Sequence, residues 1–138
     1  PGASNVIPGL VTLTIDIRAG EDAIRRAAIA DVHAAAAAIA ARRGLPIDLR
    51  QTHESGCCPC ATWLTSQLAA AVGGIDVVHL QSGAGHDAAA MSTLTDVGMI
   101  FVRCTGGISH NPAEHILPED AQAGAETLLR FIENFKER

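Results

Sequence analysis

Ile75-Asp76-Val77-Val78-His79-Leu80-Gln81-Ser82-Gly83-Ala84-Gly85-His86-Asp87-Ala88 reads as a strand that breaks into a glycine-rich loop and restarts as a helix. A short apolar run of this kind suits a strand buried on both faces, as in parallel sheets. The glycines let the backbone turn tightly. The same design recurs downstream. Val97 to Val102 is a second buried strand, followed by a long loop from Arg103 to Pro118 and a last helix over about Glu119 to Lys136. That loop holds Gly106-Gly107-Ile108-Ser109-His110-Asn111-Pro112-Ala113-Glu114-His115. The repeated order predicts an α/β fold. Ligands bind open parallel sheets at the carboxyl ends of strands, so neighbouring strands would aim His86 and His110 at one crevice.

Upstream the rhythm differs. In residues 10–18, Val11, Leu13, Ile15 and Ile17 alternate with Thr12, Thr14, Asp16 and Arg18, the period of a half-buried strand. A helix follows from about Glu21 to Arg43, with acids in its first turn and Arg42 and Arg43 in its last, both favourable to the helix dipole. Gly44 is placed to end it, and Pro46 prevents its resumption. Its expected inner stripe is Ile24, Ala28, Val32, Ala35 and Ile39. Ile47 to Arg50 alternates again, which completes a βαβ unit. Ser55-Gly56-Cys57-Cys58-Pro59-Cys60 interrupts the pattern and marks a boundary, giving blocks 1–55 and 56–138. The second opens with a helix over about Ala61 to Val72, and a short helix ends near Leu94. Pro1-Gly2-Ala3-Ser4 is neither a signal peptide nor an initiator and reads as a cut end.

Hydrophobic residues make up 48% of the 138, and aromatics only 3%, so the core must be aliphatic. Net charge is −5 with no basic run, which argues against nucleic acid or an anionic membrane as partner. No apolar stretch reaches the roughly 18 residues that span a bilayer. Four cysteines at 57, 58, 60 and 104 do not form a secreted disulfide pattern, and a reducing cytoplasm is expected.

Several residues have chemical potential. Imidazole is a good zinc or manganese ligand, so His86, Asp87, His110, Glu114 and His115 are the metal candidates. They fall short of the five or more ligands, with a bridging carboxylate, that a pair of metal ions usually needs. Residue by residue, His110 also reads as an ordinary loop histidine, and Arg18 as a surface arginine. Gly83, Gly85 and Ala88 follow the Gly-x-Gly-x-x-Ala form of a dinucleotide fingerprint. Arg103 stands where its ribose-binding acid belongs and would suit only an NADP phosphate. Otherwise the loop is a plain turn, or an anion site for a carboxylate. Cys57, Cys58 and Cys60, with Cys104 or His53, make a weak zinc-knot pattern.

Three stretches together resemble the N-carbamoyl-L-amino-acid hydrolase and allantoate amidohydrolase family. They are Asn5-Val6-Ile7-Pro8-Gly9 followed by Ile15-Asp16-Ile17-Arg18, then Ser82 to Ala88, then Gly107 to Glu114. Order and spacing agree from Asn5 to the final helix. The resemblance implies that residues 1–55 are the second half of a ferredoxin-like βαβ lid domain, the element through which the family forms homodimers. Residues 56–138 are then the C-terminal part of a zinc-peptidase-like α/β catalytic domain. It also implies metal-dependent hydrolysis of a ureido or carbamoyl C–N bond in allantoate or an N-carbamoyl-L-amino acid. Two divalent ions, zinc or manganese, would serve each full-length site, with His110 a terminal ligand of one. Asn5, Arg18 and a glycine N–H from Gly83 or Gly85 would hold the carboxylate of a small ureido-acid substrate, with His86 touching substrate or bracing the loop. The family's other ligands are absent from these 138 residues, so the chain alone is expected to be inactive and to bind metal weakly or not at all. A non-catalytic dimerisation or ligand-binding module, or an NADP-binding module, is the alternative.

Overall fold

The computed structural model describes residues 4–73 and 76–138. Pro1 to Ala3 of the first block, and Ile75 at the start of the expected 75–80 strand, lie outside the described residues. Among the described residues four α-helices follow in order: α1 Asp22–Arg43, α2 Thr62–Val72, α3 Asp87–Met91 and α4 Pro118–Glu133, with one 3-10 turn at Thr105–Gly107. The chain divides into two compact units, 1–57 and 58–138. No helix among the described residues is long and apolar enough to cross a membrane.

In the first unit, α1 ends as its sequence dictates. Gly44 takes a left-handed φ of 64°, its N–H reaches the Ala41 carbonyl, and Leu45 N–H reaches Ala40. These two bonds cover carbonyls that the helix end would otherwise orphan. The inward stripe is rotated from the expected one. Ala28 and Val32 belong to it, but Arg25, Ala36 and Ala40 replace Ile24, Ala35 and Ile39. An ion pair causes the rotation. Arg25 is only 7% exposed, and its guanidinium bonds Asp22 Oδ1 at 3.1 Å and Glu54 Oε1 at 3.0 Å. Asp22 also accepts the Cys57 N–H at 3.1 Å. One arginine thus ties the helix start to the end of the 47–54 segment. Ile29 is half-buried beside this stripe, while the rest of the inward face is largely alanine.

The expected strands at 10–18 and 47–50 are not paired, and no strand occurs among the described residues. Leu13 and Ile15 remain 68% and 55% exposed. Alternation fixes which side chains share a face, but a strand also needs a neighbour to take its backbone N–H and C=O groups. No such neighbour lies alongside within the described residues. Same-side placement itself survives: Arg18 Nε bonds Asp16 at 3.0 Å and Arg50 Nε bonds Asp48 at 2.8 Å, each two residues apart. Side chains at i and i+2 meet this way in extended backbone.

The second unit is organised by α2 and α4, which pack on each other. Leu64, Leu68 and Ala71 are the buried face of α2. Segment 97–102 runs against both helices, with Val97 8% exposed. A side chain at Gly98 would come within 3.1 Å of Leu68 and 3.2 Å of Leu64, and one at Gly124 of α4 within 2.7 Å of a Val102 methyl. Polar bonds fix the frame: Ala61 N–H donates to Val97 C=O (2.8 Å), Trp63 Nε1 to Asp96 (2.7 Å) and Arg130 Nε to Ala71 C=O (2.7 Å). Gln67 exchanges two bonds with the Lys136 backbone, 2.8 and 3.0 Å. Residues 76–80 of the expected strand are neither paired nor buried, and Val78 is 74% exposed. Nothing among the described residues covers it as a sheet neighbour and helix layer would.

Two outcomes follow from this packing. Gly124→Ala gains helix propensity of about 1 kcal/mol, but its methyl collides with the stiff Val102 side chain, an overpacking cost of about 1–3 kcal/mol. The net effect is a lower Tm, read by the fluorescence of Trp63, the only tryptophan. In the first unit, Arg25 hydrogen bonds hold the Asp22 and Glu54 carboxyls below their ordinary range. The unfolded chain therefore takes up protons first on acidification, so this stabilisation is present at neutral pH and is lost as pH falls through the depressed folded-state values. Arg25→Met should unfold more easily than the parent at neutral pH. In urea titrations followed by circular dichroism, the gap should shrink below the carboxylate range.

Candidate functional site

Both glycine and histidine loops belong to the second unit, and each closes on itself. The first is short. Ser82 Oγ accepts the Ala84 N–H at 3.1 Å and shares a 2.6 Å hydrogen bond with His86 Nε2. One hydroxyl thereby bridges the turn from its middle to its end. The His86 ring lies edge-on to Phe101, centroids 6.3 Å apart, and its backbone precedes the five-residue α3. Phe101 belongs to the 97–102 segment that leads into the second loop, so the two loops share an anchor.

The second loop, 104–115, is pinned at its neck. Thr105 N–H donates to His115 C=O at 3.0 Å, and the Cys104 thiol contacts the Ile108 and His115 carbonyls. Gly106 and Gly107 both have positive φ, 66° and 67°, which glycine tolerates at no steric cost. His110 is different. Its φ is 56°, and it is the only non-glycine residue with positive φ among the described residues. That conformation costs an L-residue about 1–2 kcal/mol. It is held by Glu114, whose Oε2 accepts the His110 N–H at 2.8 Å, while Asn111 accepts Ala113 and Glu114 N–H groups at 2.9 Å each. Strain of this kind persists where its surroundings over-determine it.

The rings divide by their commitments. His86 Nε2 is engaged by Ser82, and His115 Nδ1 donates to the Ala113 carbonyl at 3.0 Å. The His110 ring makes no hydrogen bond among the described residues and is exposed. Glu114 serves the backbone here, and Asp87 stands in the first turn of α3. Among the described residues, no three His, Cys, Asp or Glu side chains converge to hold a metal ion. The five candidates therefore do not build a metal centre by themselves. The buried Thr105 hydroxyl, which lacks a partner among the described residues, does not change this.

Two weaker readings are corrected by the geometry. A dinucleotide fold needs a paired strand and a long helix after the glycines, whereas α3 has five residues and the preceding segment is unpaired. Gly83, Gly85 and Arg103 thus lack the frame that would bind NADP. The zinc knot does not form among the described residues, where no three His, Cys, Asp or Glu side chains converge; Cys57 lies against the Ala19 carbonyl and Cys58 against that of Ala88. Burial and the Asp22 carboxylate raise the Cys57 thiol pKa, which opposes the thiolate that zinc requires.

In the first unit, Asn5 lies exposed in a turn. Arg18 is half exposed and directs Nε and Nη2 to the Asp16 carboxylate, which this bond lowers in pKa. The Ser82 to His86 bridge and the Asp22, Arg25 and Glu54 triad escaped sequence reasoning. The i, i+4 spacing of serine and histidine was the only signal for the first, and nothing local signals the second.

A family model described as peptidase family M20/M25/M40 matches residues 8–134. Allantoate deiminase 2 of Glycine max is 46% identical over 97% of this chain and 30% of its own length. Allantoate deiminase of Arabidopsis thaliana is 42% identical, covering 97% and 27%. The N-carbamoyl-L-amino-acid amidohydrolase of Pseudomonas sp. (strain NS671) is 34% identical, covering 96% and 32%. The chain spans about a third of the length of these curated relatives. No solved structure matches it.

The strain at position 110 has a measurable signature. His110→Gly should be more stable than His110→Ala by about 1 kcal/mol, the reverse of the usual order. Urea unfolding followed at Trp63 gives the difference, and an alanine variant at least as stable would remove the strain from the account.

Proposed function

The chain belongs to peptidase family M20/M25/M40, and on that premise we propose that it contributes to an amidohydrolase that cleaves a ureido or carbamoyl C–N bond in a small acid. Allantoate and N-carbamoyl-L-amino acids are the substrates this reading names. Support comes from the relatives, named allantoate deiminase and N-carbamoyl-L-amino-acid amidohydrolase, and from alignment over nearly the whole chain. The observation that carries the site assignment is His110: an exposed imidazole with no hydrogen bond among the described residues, on a strained backbone fastened by Glu114. A loop that holds one ring in a costly conformation and leaves both nitrogens available suits a ligand that needs that ring.

His110 is read as one ligand of a divalent metal, zinc or manganese. Its co-ligands would come from parts of the relatives' length that this chain does not span. The metal would supply Lewis-acid activation of the scissile carbonyl and its attacking water. This chain's own residues have the binding and orienting tasks. Arg18 and Asn5 are read as partners of the substrate carboxylate, since a guanidinium fork matches that group. A donor from the Gly83 to Gly85 turn joins them, and His86 supports that turn. At domain level, unit 1 is read as the second half of a βαβ lid and dimerisation domain. The exposed Val11, Leu13, Ile15 and Ile47 suit segments that pair elsewhere in a larger assembly. Unit 2 is read as the C-terminal part of the catalytic domain.

The full-length gene product carrying these residues should hydrolyse allantoate or an N-carbamoyl-L-amino acid, and lose that activity on chelation. Failure on the whole ureido-acid panel, with zinc and manganese supplied, would falsify the assignment. His110→Ala should reduce kcat/KM beyond the roughly 100-fold that outer-shell partners of a metal reach. Arg18→Ala should act mainly through KM, raised roughly 10- to 100-fold as expected for a charge-assisted bond. The 138 residues alone should show no turnover.

A further inference from the structure

Ser82 and His86 sit at hydrogen-bonding distance, 2.6 Å, which at first sight matches a serine nucleophile and its base. Two observations weigh against that role. A lone pair of the serine oxygen is already committed to the Ala84 N–H at 3.1 Å. No group orients the imidazole from its far nitrogen among the described residues; the ring instead lies edge-on to Phe101. A nucleophile is usually freed by its base, whereas this hydroxyl is tied down from two sides.

We propose that Ser82 is the positioning residue of the glycine turn, with His86 as its brace. Three backbone donors lie in Gly83-Ala84-Gly85. Ala84 N–H is spent on Ser82, and Gly83 is not without a partner. Gly85 N–H has no hydrogen bond among the described residues. No would-be side chain at Gly83 or Gly85 meets a neighbour within 4 Å, so packing does not hold the turn in shape. Its hydrogen bonds must. Ser82 takes up the Ala84 N–H and so leaves the Gly85 N–H as a donor open to a ligand. His86 is steadied by Phe101, whose segment packs on α2 and α4, and passes that rigidity to the turn. This rests on the carboxylate-binding role of the turn set out above and identifies the donor and the residue that aims it.

The test uses the full-length gene product with a ureido-acid substrate. Ser82→Ala and His86→Ala should each raise KM about 5-fold, the size of one ordinary hydrogen bond, with kcat within about 2-fold of the parent. Ser82→Thr, which keeps the hydroxyl, should restore KM. The double variant should be no worse than either single one, because the two residues act as one device. An active parent with unchanged KM in Ser82→Ala, or a fall in kcat alone, would overturn the proposal. Amide hydrogen exchange gives an arm independent of turnover. The Ala84 N–H should exchange about 5-fold faster in Ser82→Ala, and unchanged exchange refutes the brace. An inactive parent with that acceleration present would sink the amidohydrolase reading and leave the brace standing.

Discussion

Leu64 and Leu68 pack on segment 97–102 at Gly98, where a Cβ would stand 3.2 and 3.1 Å from them, closer than ordinary van der Waals contact. The second unit depends on that close contact. It seats Val97 in the core, sets the direction in which the segment leaves α2, and brings Val102 onto Gly124 of α4. Phe101 is thereby stationed beside His86, and Cys104 begins the loop that carries His110. A polar frame reinforces the same arrangement, with Arg130 covering the Ala71 carbonyl of α2 and Gln67 holding the tail after α4. Burying a leucine is worth about 1.5–3 kcal/mol, so two of them outweigh any single loop hydrogen bond. The loops are attachments to a packed frame, and their geometry inherits its rigidity.

Helices were readable in the sequence because a helix satisfies its own backbone. Charge at both ends, Gly44 and Pro46 located α1 to within a residue, and the last helix, expected over about Glu119 to Lys136, runs from Pro118 to Glu133. Strands are objects of two segments. The alternation at 10–18 and 47–50 correctly placed Asp16 with Arg18 and Asp48 with Arg50, yet pairing depends on a partner that local pattern does not name. The inward face of α1 was misjudged for a related reason. Alanine stripes hardly distinguish one rotation from the next, and a charged residue, Arg25, took a buried position once two carboxylates met it.

The site was partly readable. Glycines at 106 and 107 marked a loop that bends through positive φ, and both do so. That His110 itself would adopt the left-handed region was not visible, since the reason lies in Glu114 four residues on. Types of residue suggested a group of metal donors. The backbone instead consumed several of them: the Glu114 carboxylate, His115 Nδ1 and the Cys104 thiol all bind main-chain groups. Composition lists which donors exist, whereas only geometry tells which remain uncommitted.

The pairing of Arg18 with Asp16 has a bearing on any anion that this arginine receives. The Asp16 carboxylate occupies the Nε and Nη2 edge of this guanidinium. A carboxylate arriving at that edge would trade places with Asp16 rather than capture a bare cation. Such an exchange conserves ion pairs, so its free energy depends weakly on ionic strength, and small inorganic anions with no further contacts gain little by entering. Discrimination then falls to the rest of the ligand, with Asp16 acting as an internal competitor that sets the threshold for admission.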